Sequence, residues 1–132
     1  MRLTDGTPRG RLALALDLVA LLLFVVAGMR NHATGSQADI FLRNAVPVTA
    51  AWLLAAFLLR TYRPPTLRSL ALTWLVAIPV GVLVRTWWVG SPTGGRIAVF
   101  LGVAMAFTGL FLLGGRLAGA YVGRWLAARE GA

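Results

Sequence analysis

The stretch that decides the fold covers residues 67–89 and reads LRSLALTWLVAIPVGVLVRTWWV. A membrane-spanning helix needs about 20 mostly apolar residues, and this stretch is long enough. Pro79 and Gly81 interrupt it near the middle, and Arg85 lies near its far end. Two tryptophans follow Arg85, as expected where a span meets a headgroup layer. We therefore predict a transmembrane helix here, against which the other apolar stretches must pack.

Composition places the whole chain in the membrane class. Of its 132 residues, 58% are hydrophobic and only 13% are charged, whereas soluble domains carry about 25% charged residues. Further apolar runs at residues 12–29, 40–59 and 97–116 are also long enough to cross a bilayer. The sequence predicts an all-α polytopic membrane protein, with one transmembrane domain over residues 1–132. Its four transmembrane helices form a compact bundle, and residues 117–129 extend the last helix along the membrane interface.

The arginines predict the orientation of the chain. The formal net charge is +9, and all 13 basic residues are arginines. They flank the apolar runs instead of clustering on a polar face, which favours anionic lipid headgroups over nucleic acid as their partner. With the N-terminus inside, nine arginines lie on the inner side and four on the outer side. This bias predicts a multi-pass protein of the plasma membrane with both termini in the cytoplasm.

Asp17 is the only acidic residue inside a predicted span. A carboxylate at that depth costs roughly 3 kcal/mol on insertion scales, so it needs a partner or water. Arg116, at the end of the fourth span, reaches about the same side of the bilayer. Two interpretations stay open. Asp17 is either a structural partner of Arg116 or of a hydroxyl group, or it is a proton or cation site.

A second group of charged side chains maps to the outer boundary. It consists of Arg30, Arg43 and Arg85, with the only histidine, His32, in the adjoining loop. Arg85 is the deepest of them, and planar guanidinium groups bind carboxylate and phosphate well. One interpretation is an outward-facing anion pocket at Arg85 with the other three at its rim. The other is that each guanidinium reaches lipid phosphates. We also expect Asp39 to cap the second helix and to pair with Arg43.

Three glycines on the fourth helix, Gly115, Gly119 and Gly123, recur every four residues. This spacing allows two helices to approach closely, in the same chain or in a second copy. The sequence has no cysteine, one histidine and no nucleophile–base pair, so we expect no enzyme activity, metal or cofactor. The predicted function is a structural or accessory membrane component. The alternative is a small oligomeric transporter or channel that uses Arg85 and Asp17, and whether the chain forms a homo-oligomer stays open.

The distribution of these residues resembles a known family. Asp17 lies in the first span, the motif GMRNH follows at residues 28–32, Pro47 enters the second span and Arg85 closes the third. Over about residues 14–116 this pattern is similar to short four-helix membrane proteins catalogued as a domain of unknown function, family 3054. The resemblance implies a four-helix integral membrane fold and no assigned activity. It supplies no catalytic or ligand-binding residues.

Overall fold

The computed structural model describes residues 3–29 and 36–131 of the chain. Within these ranges the chain forms four α-helices: α1 (Pro8–Met29), α2 (Gln37–Leu58), α3 (Leu67–Val89) and α4 (Arg96–Glu130). Each helix is long enough and apolar enough to cross a membrane. The predicted all-α fold with four transmembrane helices is therefore confirmed.

Side-chain capping explains where two of the helices begin. The Thr7 hydroxyl accepts the Gly10 amide at 3.1 Å just before α1. Thr66 and Ser69 cap α3 reciprocally, so α3 begins at the predicted residue. The prediction that Asp39 caps α2 was wrong, because this helix begins at Gln37 and Ser36 is the residue that precedes it. Asp39 therefore lies in the first turn, where its carboxylate interacts favourably with the helix dipole.

The fourth helix is longer than a membrane span. Its 35 residues run without a break to Glu130, and at 1.5 Å per residue they extend about 52 Å. The hydrocarbon core of a bilayer is about 30 Å thick. The predicted fourth span and the predicted extension form one continuous helix, and residues 120–131 are exposed throughout. Their position at a membrane interface stays a prediction.

The helices form a closed ring in chain order. α1 packs on α2 and α4, and α3 packs on the same two helices. We call the end of the bundle at which α1 and α3 begin the terminal end, and α4 leaves the bundle there. The α2–α3 contact is the most extensive and is closest at Gly81, where a Cβ atom would lie 3.0 Å from the Val48 Cα atom. A side chain at position 81 would push the two backbones apart.

The surface of the bundle is more apolar than parts of its interior. Leu58 and Val99 are 68% and 69% exposed, and similar aliphatic side chains cover the outward face of every helix. The core, in contrast, includes four fully buried polar side chains, namely Asp17, Thr61, Thr73 and Thr108. Contiguous apolar surfaces of this extent are unfavourable in water but favourable in contact with lipid. In lipid, polar groups must find their hydrogen-bond partners inside the protein.

Candidate functional site

The first candidate site surrounds Asp17, whose side chain is completely buried. Arg116 donates from Nε to Oδ1 and from Nη2 to Oδ2 of this carboxylate, both at 2.8 Å. The two parallel hydrogen bonds form the fork geometry that makes arginine–carboxylate pairs strong and directional. The structure thus brings together the two residues that the sequence suggested as a charge pair. The pair joins α1 to α4.

Two aromatic side chains complete the surroundings of Asp17. The Tyr62 hydroxyl donates to Asp17 Oδ2 at 2.6 Å, and Trp52 Nε1 donates to the Tyr62 oxygen at 2.9 Å. Both aromatic residues are fully buried. We refer to Asp17, Trp52, Tyr62 and Arg116 as the Asp17 cluster. It connects α1, α2, α4 and the α2–α3 loop through an unbroken set of hydrogen bonds.

The α2–α3 loop holds Tyr62 in place by folding onto the terminal end of the bundle. The Tyr62 carbonyl accepts the Asp5 amide at 3.1 Å. The preceding residue, Thr61, shares a hydrogen bond with the hydroxyl of Thr73, and its carbonyl accepts the Ser69 hydroxyl at 3.0 Å. The loop is therefore attached both to the N-terminal segment and to α3, which fixes the direction in which the phenol points.

Electrostatics keep the Tyr62 phenol neutral. Burial raises the pKa of Tyr62 above its ordinary value, and the negative charge of Asp17 raises it further. The phenol therefore remains a hydrogen-bond donor to the carboxylate. Near the same loop, hydrogen bonds from the Thr7 hydroxyl and amide hold the pKa of the exposed Asp5 below its usual range.

The second candidate site lies at the opposite end of the bundle and is built around Arg85. Its Nε donates to Asn44 Oδ1 and its Nη1 to the Ser91 carbonyl, both at 2.8 Å. The guanidinium carbon lies 4.7 Å from the centre of the Phe100 ring, which is close enough for a cation–π contact. We call Asn44, Arg85, Ser91 and Phe100 the Arg85 cluster. Its guanidinium faces the other helices.

A cavity of about 90 Å³ adjoins this cluster. One water molecule needs about 10–15 Å³ of such space, so the cavity has room for about six to nine. All four helices contribute to its wall, which is mainly apolar apart from Asn44 and Arg85. The lining residues are Phe24, Val25, Gly28, Asn44, Val48, Val82, Arg85, Phe100 and Ala104.

The other members of the predicted outer group are not brought to this cavity. Arg43 lies on the surface of α2, where its guanidinium pairs with Asp39 at 2.8 Å and is about half exposed. Among the residues that the structure describes, the cavity lining does not include Arg43. Arg30 and His32 lie outside the described residues, so their place at the rim stays a prediction. The neighbour of Arg43, Asn44, is the residue that meets Arg85.

The glycine stripe contacts α1 along part of its length. A Cβ atom at Gly115 would lie 3.7 Å from the Leu16 carbonyl oxygen, and one at Gly119 would lie 2.5 Å from the Leu16 Cδ1 atom. A Cβ atom at Gly123 would meet nothing within 4 Å. The stripe therefore packs inside the same chain at Gly115 and Gly119, and α4 has separated from α1 by Gly123.

Tyr62, Trp52 and Asn44 are the site residues that sequence reasoning missed. Asn44 directly follows Arg43, and successive residues of a helix lie about 100° apart around its axis, so the two side chains point in different directions. A tryptophan in the middle of a span needs an acceptor for its N–H group. That requirement points to Trp52 and also to Trp74, which lies in the third span. Tyr62 lies in a basic loop, and its long-range contact with Asp17 has no local signal.

Chemically, both clusters hold fixed charges in defined positions. Every hydrogen-bonding atom of the Asp17 carboxylate has a donor, and two sides of the Arg85 guanidinium have an acceptor. In the two described ranges, no three histidine, cysteine, aspartate or glutamate side chains lie together as metal ligands would. The expectation that the protein uses no metal stays a prediction.

Comparison with known proteins identifies a family. The model of a family described as "Protein of unknown function (DUF3054)" matches residues 14–119, most of the chain. The chain belongs to the DUF3054 family. No curated protein and no solved structure matches it. The resemblance noted from the sequence is thereby confirmed.

The matched DUF3054 region contains both clusters completely. It begins three residues before Asp17 and ends three residues after Arg116. The exposed end of α4, from residue 120 onward, lies beyond it. The DUF3054 description names no activity.

Proposed function

We propose that this protein is a structural or accessory component of the membrane and not an enzyme. The observation that supports this proposal is the use of its intramembrane charges. Asp17 is fully engaged by Arg116 and Tyr62, and Arg85 is engaged by Asn44 and Ser91. Charges that bind partners inside the protein fix helix positions. A proton carrier, in contrast, needs access to water and a free protonation site.

We propose further that both termini lie in the cytoplasm, with the protein in the plasma membrane. The support is the arginine bias of nine against four in the chain. In this orientation the Asp17 cluster lies toward the cytoplasm and the Arg85 cluster toward the exterior. Anionic headgroups of the inner leaflet are then the natural partners of the arginines at the terminal end.

A small oligomeric transporter with an outward-facing cationic pocket is the second candidate. One observation favours it: Arg85 turns toward the bundle and lines a cavity with residues of all four helices. Two observations weigh against it. The cavity is small, with a volume of about 90 Å³. Nε and Nη1 of Arg85 already donate hydrogen bonds to Asn44 and Ser91, so these two groups are not free to bind an anion.

Flux through reconstituted protein separates the two candidates. Proteoliposomes would be loaded with a pH-sensitive dye and, in parallel, with radiolabelled chloride or phosphate. A structural component is expected to leave proton and anion leakage at the level of protein-free liposomes. Protein-dependent anion flux that disappears in Arg85→Ala, while Arg43→Ala retains it, would overturn the structural proposal and establish the transporter.

A further inference from the structure

Two surface grooves meet at the terminal end of the bundle. The first, which we call the headgroup groove, has a volume of about 650 Å³ and lies between α1, the start of α3 and α4. Its wall includes Arg9, Leu12, Leu16, Thr66, Arg116 and Ala120. The second, the chain groove, has a volume of about 400 Å³ and runs between α3 and α4. Leu67 belongs to both walls, so the two grooves adjoin at this residue.

The headgroup groove is cationic. Arg9 and Arg116 are its only charged lining residues, and its wall contains no acidic side chain among the described residues. Arg116 uses Nε and Nη2 to bind Asp17, and its Nη1 has no hydrogen-bond partner within the described part of the chain. Because Asp17 neutralises Arg116, the net positive charge comes from the exposed Arg9. Arg116 adds a fixed donor. Guanidinium groups in this arrangement suit a phosphate.

The chain groove is apolar and lies farther from the terminal end than the headgroup groove does. Its wall includes Leu70, Trp74, Met105, Gly109 and Leu113. The Trp74 Nε1 group donates to the Thr108 hydroxyl at 3.1 Å and to the Met105 carbonyl at 3.2 Å. The indole therefore offers no free polar atom to the groove. An elongated apolar groove between membrane helices, leading away from a cationic end, fits a hydrocarbon chain attached to an anion.

We propose that an anionic phospholipid binds specifically across these two grooves. Its phosphate accepts hydrogen bonds from Arg9 and from Nη1 of Arg116, and one acyl chain lies between α3 and α4. The lipid comes from the leaflet at the terminal end of the bundle. This site goes beyond the structural role proposed above, because it predicts selection of one lipid class at one position.

The proposal is tested on the purified full-length chain in a neutral detergent. Phosphatidylglycerol and phosphatidylcholine with identical acyl chains are the probes, and glycerol 3-phosphate is the chain-free control. Retained lipid is counted by native mass spectrometry, and the melting temperature is followed as each probe is titrated, since a ligand that binds the folded state raises it. Phosphatidylglycerol is expected to bind more tightly and to stabilise more than the other two.

Matched variants locate the site. Arg9→Gln should weaken phosphatidylglycerol binding about fivefold, the effect of roughly 1 kcal/mol per basic side chain near a lipid surface. Arg11→Gln, on the same turn of α1 but outside the groove, should not. Ala106→Trp fills the chain groove and should weaken both phospholipids, whereas Ala98→Trp, outside it, should weaken neither. Melting of each variant without lipid shows that it is folded.

Three results would overturn the proposal. Equal binding of the two phospholipids would show that the anion is not selected. Equal losses in Arg9→Gln and Arg11→Gln would show diffuse charge attraction in place of a site. Stabilisation by glycerol 3-phosphate as large as that by phosphatidylglycerol would assign the headgroup groove to a free phosphate compound.

Discussion

Arg116 donates two hydrogen bonds of 2.8 Å to the carboxylate of Asp17, a residue 99 positions away in the sequence. The carboxylate is fully buried, and the arginine side chain is only 12% exposed. A buried pair of this kind costs desolvation energy to form, and removing one partner leaves an uncompensated charge. In this protein the pair joins the first helix to the last and closes the ring of four.

The Tyr62 hydroxyl gives the first prediction. Tyr62→Phe removes the donor to Asp17 and the acceptor for Trp52. Hydrogen bonds to charged groups contribute about 1.5–3 kcal/mol, so the variant should melt at a clearly lower temperature in detergent. Tyr121→Phe is the matched control, because Tyr121 is 69% exposed on the end of α4. Equal melting temperatures for the two variants would mean that the Asp17 cluster does not depend on the phenol.

The glycines should differ in their tolerance of alanine. At Gly81 a new Cβ atom would meet the α2 backbone at Val48, at Gly119 it would meet the movable end of Leu16, and at Gly123 it would meet nothing. Alanine favours a helix over glycine by about 0.8–1 kcal/mol. Thermal melting should therefore show Gly81→Ala destabilised, Gly119→Ala changed little and Gly123→Ala unchanged or more stable. A Gly81→Ala variant as stable as Gly123→Ala would contradict the close α2–α3 contact.

Arg85 should not tolerate replacement by lysine. Its Nε and Nη1 reach two acceptors in different directions, and one ammonium group cannot replace a planar fork. Leaving a part-buried acceptor such as Asn44 Oδ1 unsatisfied costs about 1–3 kcal/mol. Arg85→Lys should therefore lower the melting temperature nearly as much as Arg85→Ala.

Arg43 provides the control for that comparison. It forms an exposed pair with Asp39 one turn away, and such pairs contribute about 0.3–0.5 kcal/mol. Arg43→Lys should melt like the unmodified protein. If Arg85→Lys were equally harmless, Arg85 would act as a point charge toward lipid headgroups, and its contacts with Asn44 and Ser91 would carry no weight.

The helices were predictable from sequence because each is a long apolar run between polar turns. The matching heights of Asp17 and Arg116 along the bundle were predictable for the same reason, since helical rise fixes the height of a residue along its helix. The rotation of each helix about its own axis was not predictable from the sequence. The four outward faces are nearly as apolar as the inward ones, so the sequence did not show that Asn44, and not Arg43, faces Arg85. The beginning of α2 was misplaced because an aspartate is favourable both as the N-cap residue and in the first turn of a helix, so Asp39 did not distinguish the two.

The membrane orientation is tested with reporter fusions. Fusions after Ala132 and within residues 60–66 of the α2–α3 loop should report the cytoplasm, since arginine-rich loops of membrane proteins stay inside. Fusions near Gly35 and Gly94 should report the exterior. A cytoplasmic signal at Gly35 would reverse the proposed orientation. The headgroup groove would then face the outer leaflet.

The central claim is that the intramembrane charges hold the bundle together, and a double-mutant cycle on Asp17 and Arg116 tests it most directly. The free energy of unfolding in detergent would be measured for Asp17→Asn, Arg116→Gln and the double variant. Each single change should cost about 3–5 kcal/mol, because it leaves the other group buried without its partner. The double variant should lose less than the sum of the two, since contacting residues are coupled by 0.5–3 kcal/mol. Strictly additive losses, or single variants as stable as the unmodified protein, would contradict the structural role of the pair.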